Sequence, residues 1–557
     1  MFVKTSTVRR DNKRYQYLSL VEAVREGGRT RHRTVLRLGE AGALRASGQL
    51  ERIIAALQRH VDDAGGHGDV EAETSRSAGA VAAAYWDRLG LGEHFGGGQG
   101  ADAVFAMVAN RLADPCSKRR VVEWMAADVA APAGFSAPPL HRYYRALDAV
   151  AGAKEATEAH LYSRVADLAN LDLRLVCYDL TSTYFEGATE ASERFASRAF
   201  GFSRDHRGDR PQVVIGLLTT SDGIPIAHHV FAGNTADVST LAGALEDLKK
   251  RFATGRICVV ADRGLISAEN VRTVAAQGFD HILATRLHGD TTCAAALEAA
   301  CRPDAAWVPV PEARSAACET SVEGQRCVVV ASFERWARDS ARTAELVGRT
   351  EGQLRDLERR VRDRRLVDPA KIGRAAQRIL GPSGVTRLFD VEIARGRFVW
   401  HYRDAAFDYE RDLAGRYVLA TSLTPAQATT AQVVVAYRRL LEVEHRFRVL
   451  KDFLHLRPVY HWTEDRVRGH IAICVYAAVI ESLMAADLRR ADVRDPELDD
   501  QHLSPARALR ELARVHAVVL DAGGKRIELM TRRSALQADI LDAFGVDTTA
   551  WGRARIA

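Results

Sequence analysis

The sequence predicts an α/β protein. Its core is a mixed sheet built from three strands in succession and then alternating helices and strands. A β-rich and helical insertion interrupts that core, and an N-terminal β-hairpin and helical region precede it. Three observations carry this prediction. Short β-branched apolar runs recur between residues 174 and 284, separated by turn residues or helical periodicity. Two of the runs end on carboxylates, Asp179 and Asp262. A third carboxylate, Glu444, lies on a strongly helical segment too far beyond Asp262 for the interval to be a loop.

At 557 residues the chain is too long for one ordinary core, and three or more modules are expected. A hydrophobic content of 47% with 27% charged residues describes a soluble globular protein. The longest apolar stretch, Ile471 to Ile480, is too short to span a bilayer and reads as a buried core helix, so no membrane partner is expected. The N-terminus has basic residues but no apolar stretch of a signal peptide. The eight cysteines show neither Cys-x-x-Cys nor Cys/His ligand spacing. A reducing, cytoplasmic, nucleoid-associated location and no zinc site are therefore expected. Net charge is +6, and residues 1–40 alone hold ten Lys/Arg against four acids. That excess equals the whole chain's and suggests an anionic partner.

Taken in order, residues 1–61 read as a basic hairpin plus helix expected to bind DNA. Residues 13–38 form the hairpin around Glu26-Gly27-Gly28, and a helix runs from about Leu44 to Val61. Arg29, Arg31, Arg33 and Arg37 recur at even spacing, which places them on one face of the return strand. Either that face is simply solvated or it is a ribbon that grips phosphates. Residues 62–79, rich in Gly, Ser, Ala and acids, read as a linker. Residues 80–165 read as helical, and Lys118, Arg119 and Arg120 as a solvated helix end.

Residues 166–289 form the first part of the core. Strands are expected at 174–184, 212–220, 224–231, 256–261 and 281–284, with helices at 237–251 and 267–277. Three strands, helix, strand, helix, strand is an RNase H-like layout, in which the first and fourth strands are neighbours. Residues 290–425 are the insertion: short strands, a charged helical stretch at 343–365 and a β-rich part at 386–402. Residues 426–485 return to the core with one helix, Thr430 to Phe453, that carries Glu444. Residues 486–557 read as a hairpin and a helix without an assigned role.

Two strand-end carboxylates and one helix carboxylate are the inventory for a pair of Mg²⁺ (or Mn²⁺) ions, which clamp the attacking and leaving oxygens of a phosphodiester. On the helix, Tyr437, Glu444, Arg448 and Lys451 fall near one face, beside the apolar seam of Leu440, Val443, Phe447 and Leu450. Glu442 is the competing carboxylate and points roughly 200° away from Glu444. Arg204, His206, Arg207 and Arg210 make a basic loop, either solvated or on the DNA backbone. Arg263 either touches the scissile phosphate or pairs with a neighbour.

These motifs resemble the DDE transposases of bacterial insertion sequences, in the group marked by a Tyr-x2-Arg-x3-Glu-x6-Lys signature. Within it the chain is most similar to the branch with a β-rich insertion before the Glu. The signature reads Tyr437, Leu440, Glu444 and Lys451, with Leu440 departing from the Arg. Either Arg439 or Arg448 replaces that charge, or this branch does without it. The resemblance also rests on Tyr178-Asp-Leu-Thr-Ser-Thr-Tyr-Phe-Glu-Gly187, Ser203-Arg-Asp-His206, Gly233-Asn-Thr-Ala-Asp237, Ala261-Asp-Arg-Gly264 and Leu456-Arg-Pro-Val-Tyr-His461. It implies that Asp179, Asp262 and Glu444 bind two divalent ions and are catalytic, and that Tyr437 and Lys451 contact phosphates. Arg448, Arg204, Arg210, Arg263, Arg29, Arg31 and Arg33 are further candidate DNA contacts. Trp400 is a candidate for stacking on a base, against the alternative of a sheet-face aromatic. The implied partners are double-stranded DNA, as terminal inverted repeats and target, and a second copy of the chain. Two other readings share this inventory: a nuclease without strand transfer, and a DNA-binding protein that no longer catalyses.

Overall fold

The computed structural model describes residues 2–10, 13–26, 29–47, 69–74, 77–126, 131–169, 175–187, 197–251, 257–262, 268–285, 290–381, 385–498, 501–522, 525–531, 533–548 and 555–556. The N-terminus is a three-stranded antiparallel sheet in the order β1 (Phe2–Arg10), β2 (Lys13–Glu26), β3 (Arg29–Glu40). The expected hairpin is β2–β3, and β1 adds a strand that sequence reading passed over. A register shift at Leu20/Val21 lies between Arg37 and the stretch that holds Arg29, Arg31 and Arg33. Helix Ala41–Ala46 follows. Most of the helix expected at 44–61 lies outside the described residues.

Within the stretch expected as a linker, β4 (Asp69–Thr74) pairs antiparallel with a C-terminal strand described below. Its sequence, Asp-Val-Glu-Ala-Glu-Thr, carries too little apolar alternation to announce a strand. Helices from 77 to 169 then pack around the helix Glu464–Arg490. That helix is long and apolar enough to cross a membrane by length and composition, but 89% of its apolar window is buried inside the protein. A Cβ on its Gly469 would meet the Leu147 carbonyl oxygen at 2.1 Å, so glycine alone permits that crossing. Lys118, expected on a solvated helix end, is instead buried at 5% exposure, its ammonium 3.3 Å from His470 Nδ1. Arg119 and Arg120 are exposed.

The main sheet has nine strands. β5 (Leu175–Tyr184), β6 (Gln212–Thr220) and β7 (Pro225–Ala232) form an antiparallel meander. β8 (Cys258–Ala261) pairs parallel with β5, and β9 (Asp280–Ala284) pairs parallel with β8. Side chains alternate between the two faces of β5. Val176, Tyr178 and Leu180 meet Leu245, Leu248 and Val274 of the flanking helices Leu241–Arg251 and Ala268–Ala276. Cys177 belongs to the opposite core with Val260, Val443 and Phe447.

From 290 onwards, β10 (Trp307–Val310), β11 (Ser315–Val322) and β12 (Gln325–Ala331) continue the same sheet. A satellite follows, with its own core of Leu354, Leu357, Ile372, Leu388, Phe389 and Phe398. It contains the helix Phe333–Arg362 and the hairpin β13 (Phe389–Ala394) and β14 (Arg397–Tyr402). The chain then returns in β15 (Arg416–Thr421), which pairs with both β12 and β9. The full order is β10-β11-β12-β15-β9-β8-β5-β6-β7.

The single helix expected from Thr430 to Phe453 is in fact three pieces: helix Thr430–Arg438, helix Leu440–Arg448 and a π-helical turn Val449–Phe453. A capping box of Thr429 and Gln432 starts the first piece. The break at Arg439 comes from tightened bonds: its N–H reaches the Ala436 carbonyl, and its own carbonyl accepts from Glu442. Glu444 thus sits between a tightened turn and a widened one, a construction common at functional sites. At the C-terminus β16 (Ala517–Ala522) and β17 (Lys525–Met530) form the expected hairpin. β4 and β18 (Arg555–Ile556) complete that small sheet, and helix Ala535–Ala543 lies between.

Candidate active site

Parallel pairing places Tyr178 opposite Ala261, so the next residue on each chain, Asp179 and Asp262, stand side by side. The helix Leu440–Arg448 packs on the same strand and brings Glu444 to them. The three charges feel one another. Burial, with the charges of Asp262 and Glu444, pushes the Asp179 carboxyl up to about 7, even though the Leu180 N–H donates to its Oδ1 at 2.7 Å and Arg204 draws it the other way. Glu444 is raised by partial desolvation and by Asp262, with Arg448 opposing. Glu442 packs instead against Gly223 in the β6–β7 turn.

The surrounding groups are fixed by the same elements. The Tyr437 hydroxyl donates to Asp262 Oδ1 at 3.1 Å, and its ring leans on Tyr417 at 5.5 Å between centroids. Arg204 is held by Asp237 at 2.6 Å, and its backbone N–H donates to Ser182 Oγ at 3.1 Å. Lys451 donates to the buried Asp205 at 2.7 Å, and Arg457 joins the same carboxylate. Arg210 lies 3.4 Å from both Glu186 and Asp209. Arg448 is exposed, one turn beyond Glu444. At the signature position Leu440 is buried in the core. Arg439 faces Asp222 at 3.8 Å, whereas the Arg448 charge acts on Glu444.

Among the described residues, nothing brings the remaining candidates to the acid cluster. Arg263 lies outside the described residues. Arg29, Arg31 and Arg33 occupy alternate positions of β3 in the N-terminal sheet. Trp400 packs edge-on against Phe389 and Tyr402 in the satellite, at 6.0 and 5.5 Å. Asp205 was missed as a residue with a role. Its signal was the run Ser203-Arg-Asp-His206, in which a lone acid sits among bases.

No three His, Cys, Asp or Glu side chains among the described residues are grouped to hold a single ion. The three carboxylates repel one another, with Arg204 acting on Asp179 and Arg448 on Glu444. All three are hard oxygen donors of the kind Mg²⁺ prefers, and a divalent cation would relieve the strain of their mutual charge.

Comparison with known proteins gives two family matches. Residues 172–480 match the transposase DDE domain, and residues 3–71 match the N-terminal domain of IS1634 family transposases. No protein of curated function matches the chain. Among solved structures, a piggyBac transposase synaptic complex with hairpin DNA is similar at a TM-score of 0.35 and 10% identity, covering 78% of this chain and 76% of that one.

Proposed function

The chain belongs to the DDE-domain transposases of insertion sequences, and on that premise we propose how its residues carry out DNA transposition. Members of this family generally use divalent metal ions. In our reading Asp179, Asp262 and Glu444 hold two of them, Mg²⁺ or Mn²⁺. Three carboxylates on two strand ends and one helix offer enough oxygen donors to share between a pair of ions, whose shells water and phosphate complete. When bound, the pair supplies Lewis-acid stabilisation to the attacking and leaving oxygens of a phosphodiester.

The rest is the work of side chains. Tyr437 orients Asp262 through its hydroxyl, and Arg448 offsets the charge beside Glu444. Arg204, fixed by Asp237, does the same beside Asp179. Hydrolysis at the element end frees a 3′-hydroxyl, which then attacks a target phosphodiester and displaces its 3′ oxygen. Lys451 and Arg210 line the approach, with Arg263 next to Asp262 in sequence. The arginines of β3 (Arg29, Arg31 and Arg33) grip the duplex backbone from the N-terminal sheet. Trp400 stays outside this proposal, because it packs against the apolar core of the satellite. Two copies of the chain join two element ends in a synaptic dimer. The β7-β6-β5-β8-β9 order, with β5–β8 parallel, supports an RNase H-like core.

The observation that carries the reading is three carboxylates meeting at one end of the paired strands: Asp179 and Asp262 just past the β5–β8 pairing, and Glu444 on the helix packed against β5. The test is cleavage and joining of a labelled element end to a target plasmid in Mg²⁺. Asp179→Asn should lose both by about a thousandfold or more while still binding the DNA. Cleavage that persists in this variant sinks the mechanism. Cleavage by the native chain without joining makes it a nuclease instead.

A further inference from the structure

We propose that the two loops at the far end of β5, residues 197–203 and 455–463, form a stacking platform for unpaired bases of a DNA end. The proposal rests on the transposase reading above and adds a surface to it. Phe200, Phe202, Tyr460 and Trp462 are 51, 83, 66 and 58% exposed, a concentration of large aromatics that a water-facing loop does not need for folding. Arginines sit on the faces of their neighbours. The Arg198 guanidinium lies 5.4 Å from the Trp462 ring centroid and 4.8 Å from that of Phe185. Arg207 lies 4.9 Å from that of Tyr184. Trp462 also closes over Gly187, where an added Cβ would meet the indole at 3.3 Å.

Both loops are held rigid. In the first, Gln212 Nε2 donates to the carbonyls of Phe202 and Gly233 at 2.9 and 2.8 Å. Gly201 lies so close to Gly233 that a Cβ would sit 1.9 Å from its oxygen. In the second, buried Arg111 donates to the carbonyls of Leu454 and His455, at 3.3 and 3.2 Å. His470 Nε2 reaches the Leu456 carbonyl at 3.2 Å, and the Val459 N–H donates to Tyr184 at 3.0 Å. A platform built before the ligand arrives avoids the entropy of ordering it.

Charge and continuity identify the occupant. Residues 197–210 and 455–468 carry seven arginines against four acids. Arg204, whose charge reaches Asp179, is two residues from Phe202. Asp205 ties the first loop to Lys451 and Arg457, and so to the Glu444 segment. Along β5 the interval from Asp179 to Tyr184 is roughly 17 Å, room for a few nucleotides between the acid cluster and the aromatics. Aromatic faces interleaved with arginines suit bases and phosphates, whereas a protein-docking patch is depleted of charge at its centre.

The test is fluorescence anisotropy of the full chain in EDTA, where nothing is cut. The probes are a labelled oligothymidine of about twelve nucleotides, within the usual range of single-strand sites, and a blunt duplex of equal length. Trp462→Ala should weaken oligothymidine binding by about 5- to 100-fold and leave duplex binding within about twofold. Trp462→Phe, which keeps an aromatic face, should recover most of the loss. The proposal is overturned if the native chain fails to bind oligothymidine. It is overturned too if Trp462→Ala binds like the native chain, or loses both probes in parallel. Lost self-association in sedimentation with unchanged DNA affinity would overturn it as well, assigning the surface to a second copy. A failure of the transposase reading shows separately, as no Mg²⁺-dependent cleavage by the native chain.

Discussion

Two buried or half-buried carboxylates on neighbouring parts of this molecule are treated in opposite ways. Glu158, on the helix Lys154–Ala169, is 2% exposed and surrounded by donors. It takes the His228 backbone N–H at 2.8 Å and Lys154 at 3.0 Å, it also pairs with Arg251, and the His228 ring lies against it. Burial pushes its carboxyl up, but His228, Lys154 and Arg251 together hold it well below the usual range. Asp179 is pushed up by burial too, and its carboxylate neighbours push it further. The first arrangement fastens a helix to β7. The second leaves a negative field unsatisfied. A carboxylate placed for structure brings its cations with it; one placed for a mobile cation is left in debt to whatever binds.

The sharpest way to break this comparison is at Glu158. Glu158→Ala leaves Arg251 and Lys154 facing an emptied buried site, and should cost about 3–5 kcal/mol in denaturant unfolding. A loss under 1 kcal/mol would mean that the network is not fastening the helix.

A smaller effect, of opposite sign, is expected at Asp179. Its folded pKa of about 7 lies above the ordinary 3.8, so the folded state holds the proton longer than the unfolded one. Metal-free protein should therefore lose stability as pH rises from about 4 to about 7, and then level off. Glu158 contributes the reverse: stability present above its ordinary 4.5 and lost as pH falls below it. At pH 8 without divalent ions, Asp179→Asn should be more stable than the native chain by about 1–2 kcal/mol. Mg²⁺ should raise the melting temperature of the native chain and not that of the variant. An equal Mg²⁺ response in both would remove Asp179 from the metal site.

The smallest effect is at Tyr437. Tyr437→Phe deletes one hydrogen bond to Asp262 and should lower cleavage by no more than about tenfold, with folding little changed. A loss as large as that of Asp179→Asn would show that the hydroxyl does more than orient.

Much of this site is legible in the sequence because strands and metal carboxylates leave strong local marks. β6 is found at its observed bounds, since Gln212 to Thr220 is a run of β-branched and apolar residues ending at a turn. Asp179 and Asp262 follow from the runs they end. β11, Ser-Ala-Ala-Cys-Glu-Thr-Ser-Val, has no such mark and draws its place from pairing with β10 and β12. Lys118 was read as solvated because a cluster of charges looks the same whether or not a helix end is covered. What covers it includes His470, 352 residues away in the chain. The break at Arg439 and the π-turn after Arg448 are likewise set by tertiary packing, and continuous apolar periodicity conceals them.

The route by which the satellite leaves the sheet has a consequence for how this chain varies. β12 and β15 are adjacent and antiparallel, with Ala331 opposite Arg416, and the Ser332 N–H donates to the Gly415 carbonyl at 3.0 Å. Residues 333–414 are thus the tip of one long hairpin, closed at its neck. Most of the apolar side chains distal to that neck share an interior of their own, while Leu413 and Tyr409 pack back against Cys318, Cys327 and Val418 and anchor the tip to the sheet. The neck therefore lets the satellite core form apart from the sheet, so a change in the length of residues 363–403 leaves the pairing of β12 with β15, and the strands that carry Asp179 and Asp262, in register.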